Sequence, residues 1–173
     1  MKNLFIKVSV VFLFCAMFSI AVNAQNTFNK GDKVIGAGLG VGSTWSGYGS
    51  AIPIFANFEM GIKDNLFDDK SSIGVGGYFG FASSKGLTCL FPGVRGALHY
   101  QFVDKLDTYA GLMIGLRFWS WKNNYYYYGN ASGTDLILPF FIGARYYFQD
   151  NLAGFAELGY GVAALHLGIA YKF

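Results

Sequence analysis

The sequence predicts an all-β protein, a closed eight-stranded antiparallel up-and-down transmembrane β-barrel preceded by a cleaved signal peptide. Three observations support this fold class. Apolar residues recur at every second position through most of the chain, aromatic residues make up 19% of it, and short Asp-containing turns alternate with longer connections rich in Gly, Ser and Tyr. Alternation with a period of two is typical of a strand with one apolar face.

The first 24 residues have the organisation of an export signal. Lys2 and Lys7 form a basic start, an apolar run follows at Val8–Ile20, and Val22–Ala24 is a cleavage site of small residues. The apolar run is shorter than the roughly 20 residues that a membrane-spanning helix needs. We therefore interpret residues 1–24 as a signal peptide that is removed and residues 25–173 as the barrel domain.

Removal of residues 1–24 from the 173-residue chain leaves 149 residues, the length of one domain. It also removes two lysines, so the 13 basic residues become 11 against 10 acidic residues, a net charge of +1. This balance gives no electrostatic basis for binding nucleic acid. Cys89 is then the one remaining cysteine, and we interpret it as a bystander thiol in a loop. No cluster of His, Cys and carboxylates has metal-site spacing, so we expect no metal and no cofactor.

The alternation predicts eight strands, at about residues 33–43, 51–62, 72–83, 93–103, 108–120, 134–148, 153–162 and 165–173. On each strand one face carries large apolar side chains and the other carries small or polar ones. We expect the apolar faces to point outward into lipid, with residues such as Ile35, Phe58, Leu112, Ile142 and Val162 among them. An even count of strands of about 10 residues suits a closed membrane barrel.

The connections between these strands fall into two classes. Three predicted turns share an Asp-polar-Leu pattern, at Lys63–Leu66, Val103–Leu106 and Gln149–Leu152. The other connections are predicted to be longer at Ser43–Ser50, Ser84–Pro92 and Trp121–Gly133, and very tight at Ala163–Ala164. Short turns at one end and long loops at the other are typical of outer-membrane barrels, and the aromatic residues form two bands near the strand ends, as membrane girdles do.

The last strand carries the most specific motif. Its apolar face consists of Leu165, Leu167, Ile169, Tyr171 and Phe173. This segment resembles the β-signal of bacterial outer-membrane barrels. The mature chain resembles the small eight-stranded barrels of the OmpX and OmpA-transmembrane-domain type, in the outer membrane protein beta-barrel domain family.

This resemblance implies a place in the bacterial outer membrane, contact with its lipid, and recognition of the C-terminal strand by the barrel-assembly machinery. The chain stops at the barrel, so the resemblance to OmpA implies no periplasmic cell-wall-binding domain here. We expect a monomer.

Several charged residues face the predicted lumen. An eight-stranded barrel has an interior that is about filled by its own side chains, and an unpaired charge there would be costly. Counted upward from the turns, several of these residues fall into one layer, and Arg145 and Glu157 are predicted to lie side by side. We predict an ionic network that plugs the lumen, made of Glu59, His99, Arg145, Glu157, Arg95 and Arg117.

These features favour a structural or surface-interaction protein that works through its extracellular loops and is not a general diffusion pore. Tyrosine offers a large contact area at small entropic cost, which is why it is enriched in binding loops. The candidate surface-binding loop contains Trp121, Tyr125, Tyr126, Tyr127 and Tyr128, although the same tyrosines could simply extend the outer aromatic band.

Two alternative functions remain at this stage. The first is a narrow channel or carrier for small or apolar solutes, although the lumen residues form no ring of one charge sign. The second is a lipid A-modifying enzyme, which would need a nucleophile with a histidine in reach at the outer rim. His99 and His166 are both predicted to point inward, so we expect that the protein is not an enzyme.

Overall fold

The computed structural model describes residues 27–42, 52–84, 86–122, 131–159 and 162–173. All regular structure in these ranges is β-strand, and among them no helix is long and apolar enough to cross a membrane. The strands are β1 (Lys33–Val41), β2 (Ile54–Asp64), β3 (Ser71–Ser84), β4 (Leu87–Val103), β5 (Leu106–Trp121), β6 (Ala131–Ile137), β7 (Phe140–Tyr147), β8 (Leu152–Gly159) and β9 (Leu165–Lys172).

The strands form one antiparallel sheet that closes on itself. Strands that follow one another in the chain pair with each other, except that β6 and β7 both pair with β5, and the ring is completed where β1 pairs with β9, from Val34 opposite Lys172 to Val41 opposite Leu165. Among the described residues, every strand except β6 therefore has a partner on both sides. The predicted closed antiparallel barrel is therefore confirmed.

The predicted sixth strand is divided into β6 and β7. Both pair with β5 in a single register, because Gly115 lies opposite Ile137 and Leu112 lies opposite Phe140. The interruption falls at Pro139, which has no backbone N–H to donate to the ladder. The two segments therefore act as one stave, and the ring has the eight staves that the sequence predicts.

Two ends of the barrel can be distinguished. At the turn end, tight connections join β4 to β5 and β7 to β8, and Thr27, the first described residue, and Phe173 lie nearby. We call the opposite end the loop end, and the strands reach towards it by different lengths. β3, β4 and β5 have 14, 17 and 16 residues, whereas β1, β8 and β9 have only 9, 8 and 8. The barrel is therefore taller on the side of β3 to β6.

Two of the predicted connections are wrong. β3 and β4 meet in a hairpin around Gly86, whose φ is +95°, so the predicted outer connection Ser84–Pro92 is mostly strand. Its short polar side chains suggested a loop, but here the sheet continues past the apolar belt of the barrel. At the turn end, Lys63 and Asp64 belong to β2, and the turn that follows spans residues 65–70.

Two predicted side-chain positions are also wrong. Cys89 does not lie in a loop, because it is fully buried in β4. Val162 was expected to face lipid, but β8 ends at Gly159, and the Val162 side chain is buried against Gly80. The tight connection predicted at Ala163–Ala164 thus also forms part of the lumen's lid.

The outward face of the barrel is almost entirely apolar. Exposed side chains alternate with buried ones along the strands, and Val94, Leu112 and Leu136 are each more than 60% exposed. A soluble monomer rarely exposes a continuous apolar surface of this kind, whereas a lipid-facing barrel requires it. Tyr100 and Phe102 lie with ring centroids 4.7 Å apart and their planes tilted by 53° at the turn end of this belt, in the position of an interfacial aromatic girdle.

The belt yields a test of its lipid contact. We expect Leu112→Arg to lower the free energy of unfolding in phospholipid vesicles by about 2–4 kcal/mol, because the charge would lie in hydrocarbon. The control is Phe67→Arg in the connection between β2 and β3, where the native side chain is 75% exposed and the expected loss is at most about 1 kcal/mol. Equal effects of the two substitutions in urea titrations would contradict the assignment of the belt.

Candidate functional site in the barrel lumen

Four charged side chains from four strands form a closed ring near the turn end. The His99 ring lies with Nε2 2.9 Å from Glu59 Oε1 and Nδ1 2.8 Å from Asp107 Oδ1. Arg145 Nη1 donates to Asp107 Oδ2 over 3.3 Å, and Arg145 Nη2 donates to Glu59 Oε2. Acidic and basic groups thus alternate around the ring, which we call the charge ring. All four residues are at most 2% exposed.

A second ion pair lies further along the lumen. Arg95 Nη2 donates to Glu157 Oε2 over 2.8 Å, and Tyr109 Oη donates to the same oxygen over 3.2 Å. The Arg95 guanidinium also lies over the face of Phe141, 3.9 Å from the ring centroid. These contacts compensate part of the cost of removing two charges from water, because buried ions are tolerated only when paired and hydrogen-bonded.

Aromatic side chains fill the lumen towards the loop end. Phe55 contacts Tyr78, Phe155 and His166, with ring centroids 4.7–5.8 Å apart, and Tyr78 Oη lies 3.0 Å from His166 Nε2. Val162, Ala163 and Pro53 pack around Gly80 and Gly40 above this layer. The layer therefore closes the lumen on the loop side of the charges.

Inward-facing glycines make room for these large side chains. A Cβ added at Gly143 would lie 2.5 Å from the ring of Tyr109, and one at Gly111 would lie 2.5 Å from the ring of Phe141. Gly115 stands in the same relation to the ring of Phe91. Each ring thus lies over a glycine of a neighbouring strand, which lets a narrow barrel hold aromatic residues without a clash.

The N-terminal segment closes the turn end. We call Thr27–Asp32 the strap. Phe28 is 3% exposed and stacks on His99 with ring centroids 4.1 Å apart, while Ser72 Oγ donates to the Phe28 carbonyl. The strap was not predicted from the sequence. The feature that could have indicated it is one apolar residue, Phe28, in an otherwise polar segment.

Arg117 lies apart from these layers, near the loop end. It donates from Nε and Nη2 to Asp135 Oδ2, at 3.0 and 2.6 Å, and Trp119 Nε1 donates to the same oxygen. This pair is partly exposed, with 25% of the Arg117 side chain and 42% of the Asp135 side chain accessible. Arg117 therefore forms a rim contact that is separate from the buried charges.

Of the six residues predicted for the ionic network, Arg117 lies apart, and the other five are buried in the lumen in pairs that differ from the predicted ones. Arg145 and Glu157 were expected side by side, whereas Arg145 lies opposite Phe155 and Glu157 lies opposite Gly143. The reason is that the hairpin is centred one residue earlier than expected, which displaces the partner by two residues. Asp107 was missed because the fifth strand was predicted to begin at residue 108, one residue too late.

The predicted surface loop is divided by the structure. Trp121 is not a loop residue, because it ends β5 opposite Ala131 of β6. Tyr125–Tyr128 and the predicted connection Ser43–Ser50 lie outside the described residues.

Comparison with known proteins places this geometry in a fold. No protein-family model and no curated protein matches the chain. Among solved structures, Ail of Yersinia pestis, its attachment invasion locus protein, has 13% identity over 83% of this chain and 99% of its own, with a TM-score of 0.58. The N-terminal β-barrel domain of Pseudomonas aeruginosa OprF has 14% identity over 83% and 98%, with a TM-score of 0.55. A designed transmembrane β-barrel has 18% identity over 84% and 98%, also with a TM-score of 0.55.

The chain has the fold of a small outer-membrane β-barrel. The identities are low, so the shared feature is the backbone architecture of the OmpX and OmpA type that the sequence resembles. A closed barrel with this apolar exterior fits the bacterial outer membrane. We expect the turn end to face the periplasm and the loop end to face the cell exterior, as is typical of outer-membrane barrels.

The charge ring yields a stability prediction. We expect Arg145→Met to lower the free energy of unfolding in vesicles by about 3–5 kcal/mol, because it removes the guanidinium that pairs with the two buried carboxylates Glu59 and Asp107. Arg117→Met is the matched control, since it removes the same group from a partly exposed pair, and we expect it to cost under about 1 kcal/mol. Comparable losses of unfolding free energy in the two variants would show that the buried charge ring stabilises the barrel no more than the partly exposed pair does.

Proposed function

We propose that the protein is a plugged outer-membrane barrel with a structural or surface-interaction role through its extracellular side, and that it is not a diffusion pore. The observation that carries this proposal is the filled lumen. From the turn end inward, Phe28, the charge ring, the Arg95–Glu157 pair and the aromatic layer follow one another, and their side chains are buried.

The buried histidines support a role other than catalysis. His99 uses both ring nitrogens on carboxylates at the turn end, and His166 lies among aromatic rings with its Nε2 near Tyr78. Both are at most 4% exposed, so neither reaches the outer rim, where a lipid-modifying enzyme would act on its substrate. In this proposal the protein carries no cofactor.

A plugged lumen leaves the outer surface as the working part of the molecule. Ail has also been solved in complex with the heparin analogue sucrose octasulfate, with 18% identity to this chain and a TM-score of 0.53. That structure supports the idea that a barrel of this fold can present a binding surface. In this chain Arg117 forms an ion pair with Asp135. We therefore do not propose a sulfated ligand for this chain, and the binding assay below tests several classes of ligand.

The remaining partners follow from the same proposal. The apolar belt contacts outer-membrane lipid, and the strand that ends at Phe173 is the segment that the barrel-assembly machinery would recognise. A sheet that closes within one chain needs no second copy to complete its hydrogen bonds, which supports a monomer.

The filled lumen predicts that the protein does not conduct ions across a membrane. We expect the purified barrel, once its insertion is verified by different migration of boiled and unboiled samples, to add no steady conductance to a planar lipid bilayer. A wide porin inserted in the same way serves as the positive control. Steady, ion-selective steps from the wild-type protein would overturn the plug and favour the narrow-channel alternative.

The surface role predicts a ligand signal that depends on the tyrosine run. We expect cells that display the protein to bind a subset of an array of neutral and sulfated saccharides and matrix proteins. Replacing Tyr125, Tyr126, Tyr127 and Tyr128 by Ser should lower that signal at least about tenfold, as the loss of several aromatic contacts does. Asn123→Ser with Asn124→Ser is the matched control, and binding that survives the tyrosine replacement would leave the run without this role.

A further inference from the structure

The strap is held by a small number of identifiable contacts. Gly31 N donates to Gly61 O and Gly61 N donates to Asp32 O, each over 2.9 Å. From β9, the neighbour of β1 on its other side, Lys172 Nζ donates to the Thr27 carbonyl over 3.1 Å. Thr27 N also donates to Gln101 Oε1, Lys30 N donates to Asp64 Oδ1, and Lys172 Nζ lies 3.8 Å from Asp32 Oδ2. The strap precedes β1, so its release would break these contacts and leave the pairing of the eight staves in place.

Phe28, the apolar side chain of the strap, stacks on His99, and the neighbours of His99 bear on its protonation state. Ionised carboxylates only accept hydrogen bonds, and each nitrogen of His99 faces one, Glu59 or Asp107. Both contacts are hydrogen bonds only when both nitrogens carry a proton. A neutral imidazole would instead direct a lone pair at one of the carboxylates. With both carboxylates ionised, the geometry therefore favours the imidazolium form of His99.

The charges around His99 balance only in that form. Glu59 faces it from β2, Asp107 and Tyr109 from β5, and Arg145 closes the ring from β7. β3 contributes Ser72 and Gly74, and the strap contributes Phe28, so neither adds a charge. With an imidazolium the ring holds two anions and two cations, and without its proton the ring retains a buried net negative charge.

We propose that the strap is a releasable seal of the periplasmic mouth, and that His99 in its cationic form holds it in place. As the pH rises, His99 loses a proton, one carboxylate loses its donor, and the ring opens. Phe28 then loses the flat cation on which it stacks, the strap leaves, and water reaches carboxylates that it solvates well. This inference rests on the proposed function, because it concerns the release of the lowest layer of the plug.

Hydrogen exchange of individual amides tests the seal. The Gly31 and Gly61 amides report the strap, and the Gly40 amide, which donates to Pro53 O at the loop end, reports the barrel itself. Rates measured in lipid nanodiscs are divided by the intrinsic rate at each pH. We expect protection of the two strap amides to be constant at low pH and then to fall about tenfold per pH unit above a single midpoint, while protection of Gly40 stays unchanged.

Two variants and one control separate charge from packing. We expect His99→Gln to lose strap protection at every pH, because glutamine carries no charge. Adding Asp107→Asn to that variant removes one anion and should restore protection. His166→Gln alters the other buried histidine of the lumen and should behave as wild type.

Three outcomes would overturn the seal. They are pH-independent strap protection in the wild type, failure of Asp107→Asn to rescue, and an equal loss in His166→Gln. If His99→Gln does not fold, the wild-type pH series decides alone. Bilayer conductance is a separate readout, so a conducting wild type would reject the proposed function without deciding whether the strap is released.

Discussion

Closure of the sheet is the constraint from which the other features of this molecule follow. Hydrocarbon offers no hydrogen bonds, so each backbone N–H and C=O in the membrane needs a protein partner. The pairing of β1 with β9 satisfies the last two free edges, from Val34 to Val41 on one strand and from Leu165 to Lys172 on the other. Once the ring is closed, alternate side chains must face lipid or the lumen, and neither face can be exchanged for the other without a register shift.

The interior of an eight-stranded barrel is just wide enough for its own side chains to fill it. Its volume has to be filled by side chains, and glycines such as Gly111 and Gly143 provide the room for aromatic rings. Charged residues in such a space must satisfy one another. Glu59, Asp107, His99 and Arg145 do so in a closed ring in which each member contacts two neighbours, and this mutual satisfaction is what makes four buried charges tolerable.

The sequence predicts the barrel well because the two-residue period is repeated along every strand, so one misplaced boundary hardly changes the pattern. It predicts which residues face the lumen for the same reason. The prediction from sequence fails where the neighbours of a residue depend on the register between strands, and not only on whether the residue faces the lumen or the lipid. Arg145 and Glu157 are on the correct face, but their partners depend on the centre of one hairpin and on the stagger between strands, which no local pattern specifies.

The irregular segments show the same limit from the other side. Val162 follows the alternation of β8 and was therefore assigned to lipid, but the chain has left the sheet by that point and parity no longer applies. The strap has no periodic pattern, and its place is set by the stacking of Phe28 on the buried ring of His99 at the mouth. The parts of the lumen that regular strands cannot cover are thus closed by irregular chain. At the turn end that chain rests on charged groups, which water can solvate when the chain leaves, whereas at the loop end it rests on aromatic rings, which water cannot. In the proposed seal, the charged turn end is therefore the cover that opens, and the aromatic loop end is the one that stays closed.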